Sequence, residues 1–256
     1  GSPEYIKTPQ FKSHLNNYST SNMGIVRRKK KIQEINDDDW QTIRSFQTTE
    51  LKKREGIEEN LHIIRKYLNM MTETTYNKLK EDIITEITNV ISVDTNENLN
   101  YLCNELFQIV SSNILYSDIY AKLYNDLINE FNIFNIILME NFANFQSIFD
   151  NIEYYDSEAE YDKFCENNKK NEIKRATCSF YINLMKKDII DKEVIGNIIL
   201  NIFKKLDSMI ISETQQNIID ELSELIYIMV SGSYETLNHN NFHLSKEIYD
   251  NVVRIT

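Results

Sequence analysis

Helix breakers are almost missing from this chain. It has 5 glycines and 2 prolines in 256 residues, and Pro3 and Pro9 both precede residue 10. Beyond that point little interrupts an α-helix. Scarce glycine also argues against phosphate cradles, and no Gly-rich loop, nucleophile elbow or paired-carboxylate motif appears. Catalysis is therefore not expected, and neither is a cofactor. Cysteine is sparse: Cys103, Cys165 and Cys178 are an odd number without metal-type spacing, the pattern of reduced core thiols in a cytoplasmic protein. No apolar run reaches the roughly 20 residues of a membrane span, so no membrane contact is expected. The start is polar and unlike a signal peptide, and Gly1-Ser2 resembles a tag remnant.

What is present is charge, unevenly placed. The net charge is −11, yet residues 1–55 hold 11 Lys/Arg against 7 Asp/Glu, and the remainder holds 17 against 32. A basic tail thus precedes an acidic body. An acidic body is not a nucleic-acid footprint, because phosphate binding needs clustered Lys/Arg. It suits a protein partner, with RNA confined to basic patches. Asn, Ile, Lys and Tyr are abundant, which fits an AT-rich genome such as a protist's or a large DNA virus's.

Residues 1 to about 36 lack helical periodicity and contain the polar run Asn16 to Asn22. They read as an irregular tail, flexible or ordered by a partner. A polar linker with Trp40 reaches Gly56, so the expected domains are 1–55 and 56–256. From Gly56 onward apolar residues recur at helical spacing. Ile57, Leu61, Ile64 and Leu68 make one stripe; Thr72 reads as the N-cap of a helix burying Tyr76, Leu79, Ile83, Ile87 and Val90. Similar stripes predict helical pairs 56–69 with 72–92, 97–112 with 117–131, 132–151 with 170–187, and 191–207 with 213–231. Ile173, Ala176, Phe180, Tyr181 and Leu184 carry the stripe of 170–187, and Val194 opens that of 191–207. Gly232 falls where a helix C-cap is expected, residues 152–169 read as an acidic insertion, and a lone ninth helix begins near Leu244. No strand pattern is visible. Pairs at these spacings suggest stacked HEAT-type hairpins, an all-α solenoid of about four and a half repeats.

The segment Ile64 to Ile83, IRKYLNMMTETTYNKLKEDI, resembles the first hairpin of the middle domain of eukaryotic translation initiation factor 4 gamma. Ile64-Arg65, Leu68-Asn69, Met71-Thr72, Tyr76 and Leu79 fit that family's pattern in register. Leu106-Phe107, Tyr116-Ser117, Tyr120-Ala121 and Leu123 resemble its second hairpin, although Ile109 and Val110 stand where a Lys-Ala pair is usual. Lys174-Arg175 and the run Phe180 to Lys187 resemble a third, with Thr177-Cys178 in place of the usual Gly-Asn. The likeness covers roughly residues 40 to 256. It implies a non-catalytic translation-initiation scaffold that binds and activates a DEAD-box RNA helicase of the initiation factor 4A type and touches RNA. The same fold would also serve nonsense-mediated decay, nuclear cap binding, splicing or a poly(A)-binding-protein partner. It further implies one more helix after residue 256, and hence an exposed apolar face on the last helix.

By the same resemblance, Trp40, the sole Trp, is the linker residue that meets the helicase's C-terminal lobe; the alternative is that it folds back on the first repeat. Lys174, Arg175, Phe180, Lys186 and Lys187 are further helicase-binding candidates, against a solvated outer face for the charges. Arg27, Arg28, Lys29, Lys30 and Lys31 fit an RNA-binding arm, a nuclear localisation signal or a merely solvated run. Asp37-Asp38-Asp39 lack convergent ligands for a metal, and His239 and His243, spaced as HxxxH, fall in text that reads as loop. A cap-binding protein would need sequence outside this chain, since Tyr5 with Gln10-Phe11 lacks the leucine of the expected motif.

Overall fold

Nine α-helices account for most of the described residues, which in this computed structural model are 56–93, 96–212, 216–238 and 243–255. They all fall within one compact unit, residues 53–256. No strand occurs among them. The basic cluster, the acidic triplet, Trp40 and His239 lie outside the described residues.

The helices are α1 (Ile57–Asn69), α2 (Tyr76–Val93), α3 (Asn96–Ser111), α4 (Ser117–Glu130), α5 (Asn132–Ala143), α6 (Tyr161–Lys186), α7 (Lys192–Ile211), α8 (Gln216–Leu237) and α9 (Ser245–Ile255). A short 3-10 turn, Phe145–Phe149, follows α5. α1 begins after Gly56, whose φ of 63° suits a residue without Cβ. Between α1 and α2, Thr72 and Thr75 each accept a hydrogen bond from the other's backbone N–H, at 3.3 and 2.9 Å. This reciprocal pairing resembles a capping box and closes the turn before α2, whose first helical bond starts at Thr75 and not at the expected cap Thr72. α6 ends in a Schellman motif: Ile189 N–H donates to Leu184 O and Asp188 N–H to Met185 O, with Asp188 at φ 58°. Asp191 then caps α7 by accepting from Glu193 N at 2.8 Å.

Each apolar stripe is satisfied by neighbours close in order. α1 packs on α2 and α3; α3 on α2, α4, α5 and α6; α4 on α5 and α6; α6 chiefly on α8; α7 on α8 and α9. The continuous core runs from Leu61 through Tyr76, Phe107, Tyr124 and Phe180 to Ile199, Leu225 and Ile248. Buried apolar area at about 25 cal/mol per Å² is the main stabilising term.

Four expectations require correction. The predicted helix 132–151 breaks at Asn144 into α5 and the 3-10 turn. Asn141 and Asn144 turn their side-chain amides onto the carbonyls of Ile137 and Glu140, a competing local bond. The tighter 3-10 winding then brings Phe145 onto Tyr181, at 4.5 Å between ring centroids. Second, the insertion is shorter than 152–169, because α6 already starts at Tyr161. Its polar first turns are held by tertiary bonds: Asn167 Nδ2 donates to Glu153 O (2.8 Å) and Lys174 Nζ to Asn151 O (2.6 Å). Third, Gly232 is inside α8, not after it. A Cβ there would stand 3.2 Å from Ile182 Cγ2, so the glycine permits close approach of α6 and α8. Fourth, Ile173 and Val194 are exposed, not core.

Candidate functional site

The second- and third-hairpin words meet at the C-terminal half of α6. Here six consecutive residues, Phe180 to Met185, are buried. A helix buried on every side needs neighbours all round, and α6 has α3, α4 and α8. Phe180 packs edge-on to Phe107 and Tyr124, at 6.0 and 5.7 Å. Tyr181 packs on Phe142 and Phe145. Phe180 is therefore a core residue; fully covered, it cannot meet a helicase, and that expectation is corrected.

The basic candidates divide. Arg175, a third exposed, makes a two-pronged pair with Glu221 of α8, from Nε at 3.1 Å and from Nη2 at closer range. Such a fork–carboxylate pair is directional and holds its partners in one geometry. Its guanidinium is thus paired within the fold, while a third of the side chain stays exposed. Lys174 is half-buried, and besides Asn151 O it reaches Asn171 Oδ1 at 3.3 Å. Desolvation holds its ammonium below the ordinary lysine range. It ties the loop at Asn151 to α6. Lys187 Nζ pairs with Asp118 of α4 at 3.0 Å, while Lys186 is exposed. Of the charged candidates, Lys186 is exposed, and Arg175 and Lys187 are partly so.

A polar seam missed by sequence reading connects these helices. Asn183, buried in α6, donates to Ser117 Oγ at the start of α4 (3.0 Å). Tyr120 O–H donates to Leu68 O (3.2 Å), and Tyr76 O–H to Asp126 Oδ2 (2.8 Å). Lys122 lies over the Tyr76 ring at 4.1 Å and pairs with Glu73. Ser117 and Tyr116 belong to the quoted second-hairpin words, so the seam runs through the hairpin turns; sequence spacing alone could not have paired residues 66 positions apart.

Titratable groups along this core favour neutrality. Burial pushes the Cys103 thiol and the Tyr120 phenol each up to about 12. Burial also raises Cys178, Tyr124 and Tyr181, and burial followed by the Asp126 hydrogen bond raises Tyr76. These are inert packing groups, since a nucleophilic thiol needs a lowered pKa. All three cysteines are free; Cys103 and Cys178 are buried as core thiols, whereas Cys165 is only partly buried. Among the described residues no cluster of His, Cys, Asp or Glu could hold a metal.

No family model matches this chain, and no curated protein and no solved structure matches it. Among the described residues no helix is long and apolar enough to cross a membrane.

Proposed function

We propose that this chain is a non-catalytic scaffold: an α-solenoid of HEAT-type hairpins that binds a DEAD-box RNA helicase and works in translation initiation. The observation that carries the reading is the role of the family-like residues. Ile64, Leu68, Met71, Tyr76, Leu79, Leu106, Phe107, Tyr120, Ala121 and Leu123 are all buried, and successive helices pack mainly on neighbours near in order. That is how a stack of helical hairpins buries its faces. Trp40 in the linker and, on the helical body, Lys186 and Lys187 would each contact the helicase, and RNA would engage Arg27 to Lys31, the basic part of an otherwise acidic chain.

The test is ATPase stimulation of an initiation factor 4A-type helicase by the full chain in the presence of RNA, together with direct binding. Trp40→Ala is expected to weaken binding by more than about 1 kcal/mol, as loss of an aromatic anchor does. Absence of both stimulation and binding would overturn the helicase assignment.

A further inference from the structure

The acidic segment before α6 is held against that helix as a strap. Residues 151–156 have no regular structure and 157–159 form a turn. Asp150, Glu153, Asp156, Glu158 and Glu160 are all exposed, and no Lys or Arg stands among residues 150–160.

α6 meets the strap with donors on one face. Asn167, Asn171 and Lys174 stand at i, i+4 and i+7, and Lys163 comes one turn earlier. Lys174 Nζ donates to Asn151 O (2.6 Å) and Asn167 Nδ2 to Glu153 O (2.8 Å). The ends are paired by side chains: Asp150 with Lys205 of α7 at 2.6 Å, and Glu160 with Lys163 at 2.7 Å. Between them Ile152, 8% exposed, joins the apolar core. The helices thus grip a short non-helical segment by two main-chain carbonyls, one apolar anchor and outlying carboxylates. Grooves that bind linear peptides use the same elements.

The fit is incomplete at one atom. Asn167 is 6% exposed, and its Oδ1 has no hydrogen-bond partner among the described residues. A side-chain amide carries donor and acceptor together, and can pair with the C=O and the N–H of a peptide at once. The strap supplies only the C=O. An acceptor buried without a partner weakens the state that buries it. The strap's carboxylates also repel one another.

We propose that the strap is a built-in pseudo-ligand, and that the α6 face beneath it binds an acidic, non-helical peptide segment of a partner protein. The partner's main chain replaces the strap's at Lys174 and Asn167, and one of its N–H groups reaches Asn167 Oδ1. An apolar side chain takes the place of Ile152, and carboxylates meet Lys163 and Lys205. The strap must leave first, so the intact chain binds more weakly in proportion to the fraction open. RNA is disfavoured here, because the chain beyond residue 55 holds 32 Asp/Glu against 17 Lys/Arg. The inference does not rest on the helicase reading.

The experiment is fluorescence anisotropy of the full chain with a labelled peptide of the strap's own sequence, residues 148–158, beside a scrambled control. Asp150→Ala, which frees Lys205, should tighten binding about threefold over the unaltered chain. Ile152→Ala, which removes the buried anchor, should tighten it about tenfold. Adding Asn167→Ala to Ile152→Ala should cancel that gain. Glu140→Ala, at an exposed acid of α5, makes the same charge change as Asp150→Ala and should leave binding unaltered. Asp150 is exposed, so Asp150→Ala should keep its far-UV circular dichroism and decides the matter even where Ile152→Ala does not fold. No tightening in Asp150→Ala, equal tightening in Glu140→Ala, equal binding of the scrambled peptide, displacement of the peptide by oligouridylate, or a dimer abolished by Ile152→Ala would each overturn the proposal.

Discussion

Tyr124 and Tyr227 sit on helices of similar amphipathicity and meet opposite fates. Tyr124 is fully buried, donates to Phe134 O at 2.9 Å and touches Phe107, Phe134 and Phe180 edge-on. Tyr227 stands 66% exposed and lines an apolar cavity with Phe203, Leu206 and Ile226. The difference is in the number of neighbours. α4 is covered by α3, α5 and α6, whereas α8 packs chiefly on α6 and α7 and borders that cavity. A phenol pays for burial by finding an acceptor, as Tyr124 does in Phe134 O. The centre is where aromatic residues hold the fold together; the C-terminal cavity is where they remain accessible.

That contrast can be broken by measurement. The largest effect is expected at the centre: Phe180→Ala should cost about 3–5 kcal/mol in chemical denaturation, and a cost near zero would mean that Phe180 is not core. Next is an alkaline loss of stability. Cys103 and Tyr120 hold their protons up to about 12 in the folded chain, against ordinary values of 9.0 and 10.0. The unfolded chain releases those protons first, so the stability these two groups contribute should fall as pH rises from about 9 and be spent near 12. Tyr120→Phe should flatten the upper part of that decline in a pH series of denaturation curves.

Glu221→Ala, which strands the partly buried Arg175 between α6 and α8, should cost about 1–3 kcal/mol. Asp118→Asn removes the partner of Lys187, an exposed carboxylate, and should cost no more than about 1 kcal/mol. Tyr227→Ser, at the cavity rim, should change stability by less than about 0.5 kcal/mol. A loss there as large as at Phe180 would erase the distinction between the two regions.

The first hairpin was the most legible part of the chain. Leu61, Ile64 and Leu68 of α1 and Tyr76, Leu79, Ile83, Ile87 and Val90 of α2 are all buried, as their spacing predicts. One-sided burial is what a 3.6-residue period reports. α6 was the least legible. Its second half is buried all round, so it has no stripe to read, and Ile173 at 49% exposure lies outside the core while Lys174 and Arg175 are drawn partly into it. The polar residues Asn167 and Asn171 are buried because their surroundings are a loop and a lysine, and nothing local announces that. The same blindness assigned Phe180 to a partner. Trp40 and Arg27 to Lys31 lie outside the described residues, so the structure leaves their roles where the sequence put them.

By itself, then, the sequence determined an all-helical chain, because its spacing of apolar residues and its shortage of Gly and Pro act locally along each segment. It also determined the division of charge between tail and body. Tertiary structure alone decided which charges are spent internally, as at Arg175 with Glu221, which tyrosines find acceptors, and that an apolar cavity lies between α8 and α9. Those outcomes depend on which helices lie side by side, and that pairing joins residues dozens of positions apart that no local pattern connects.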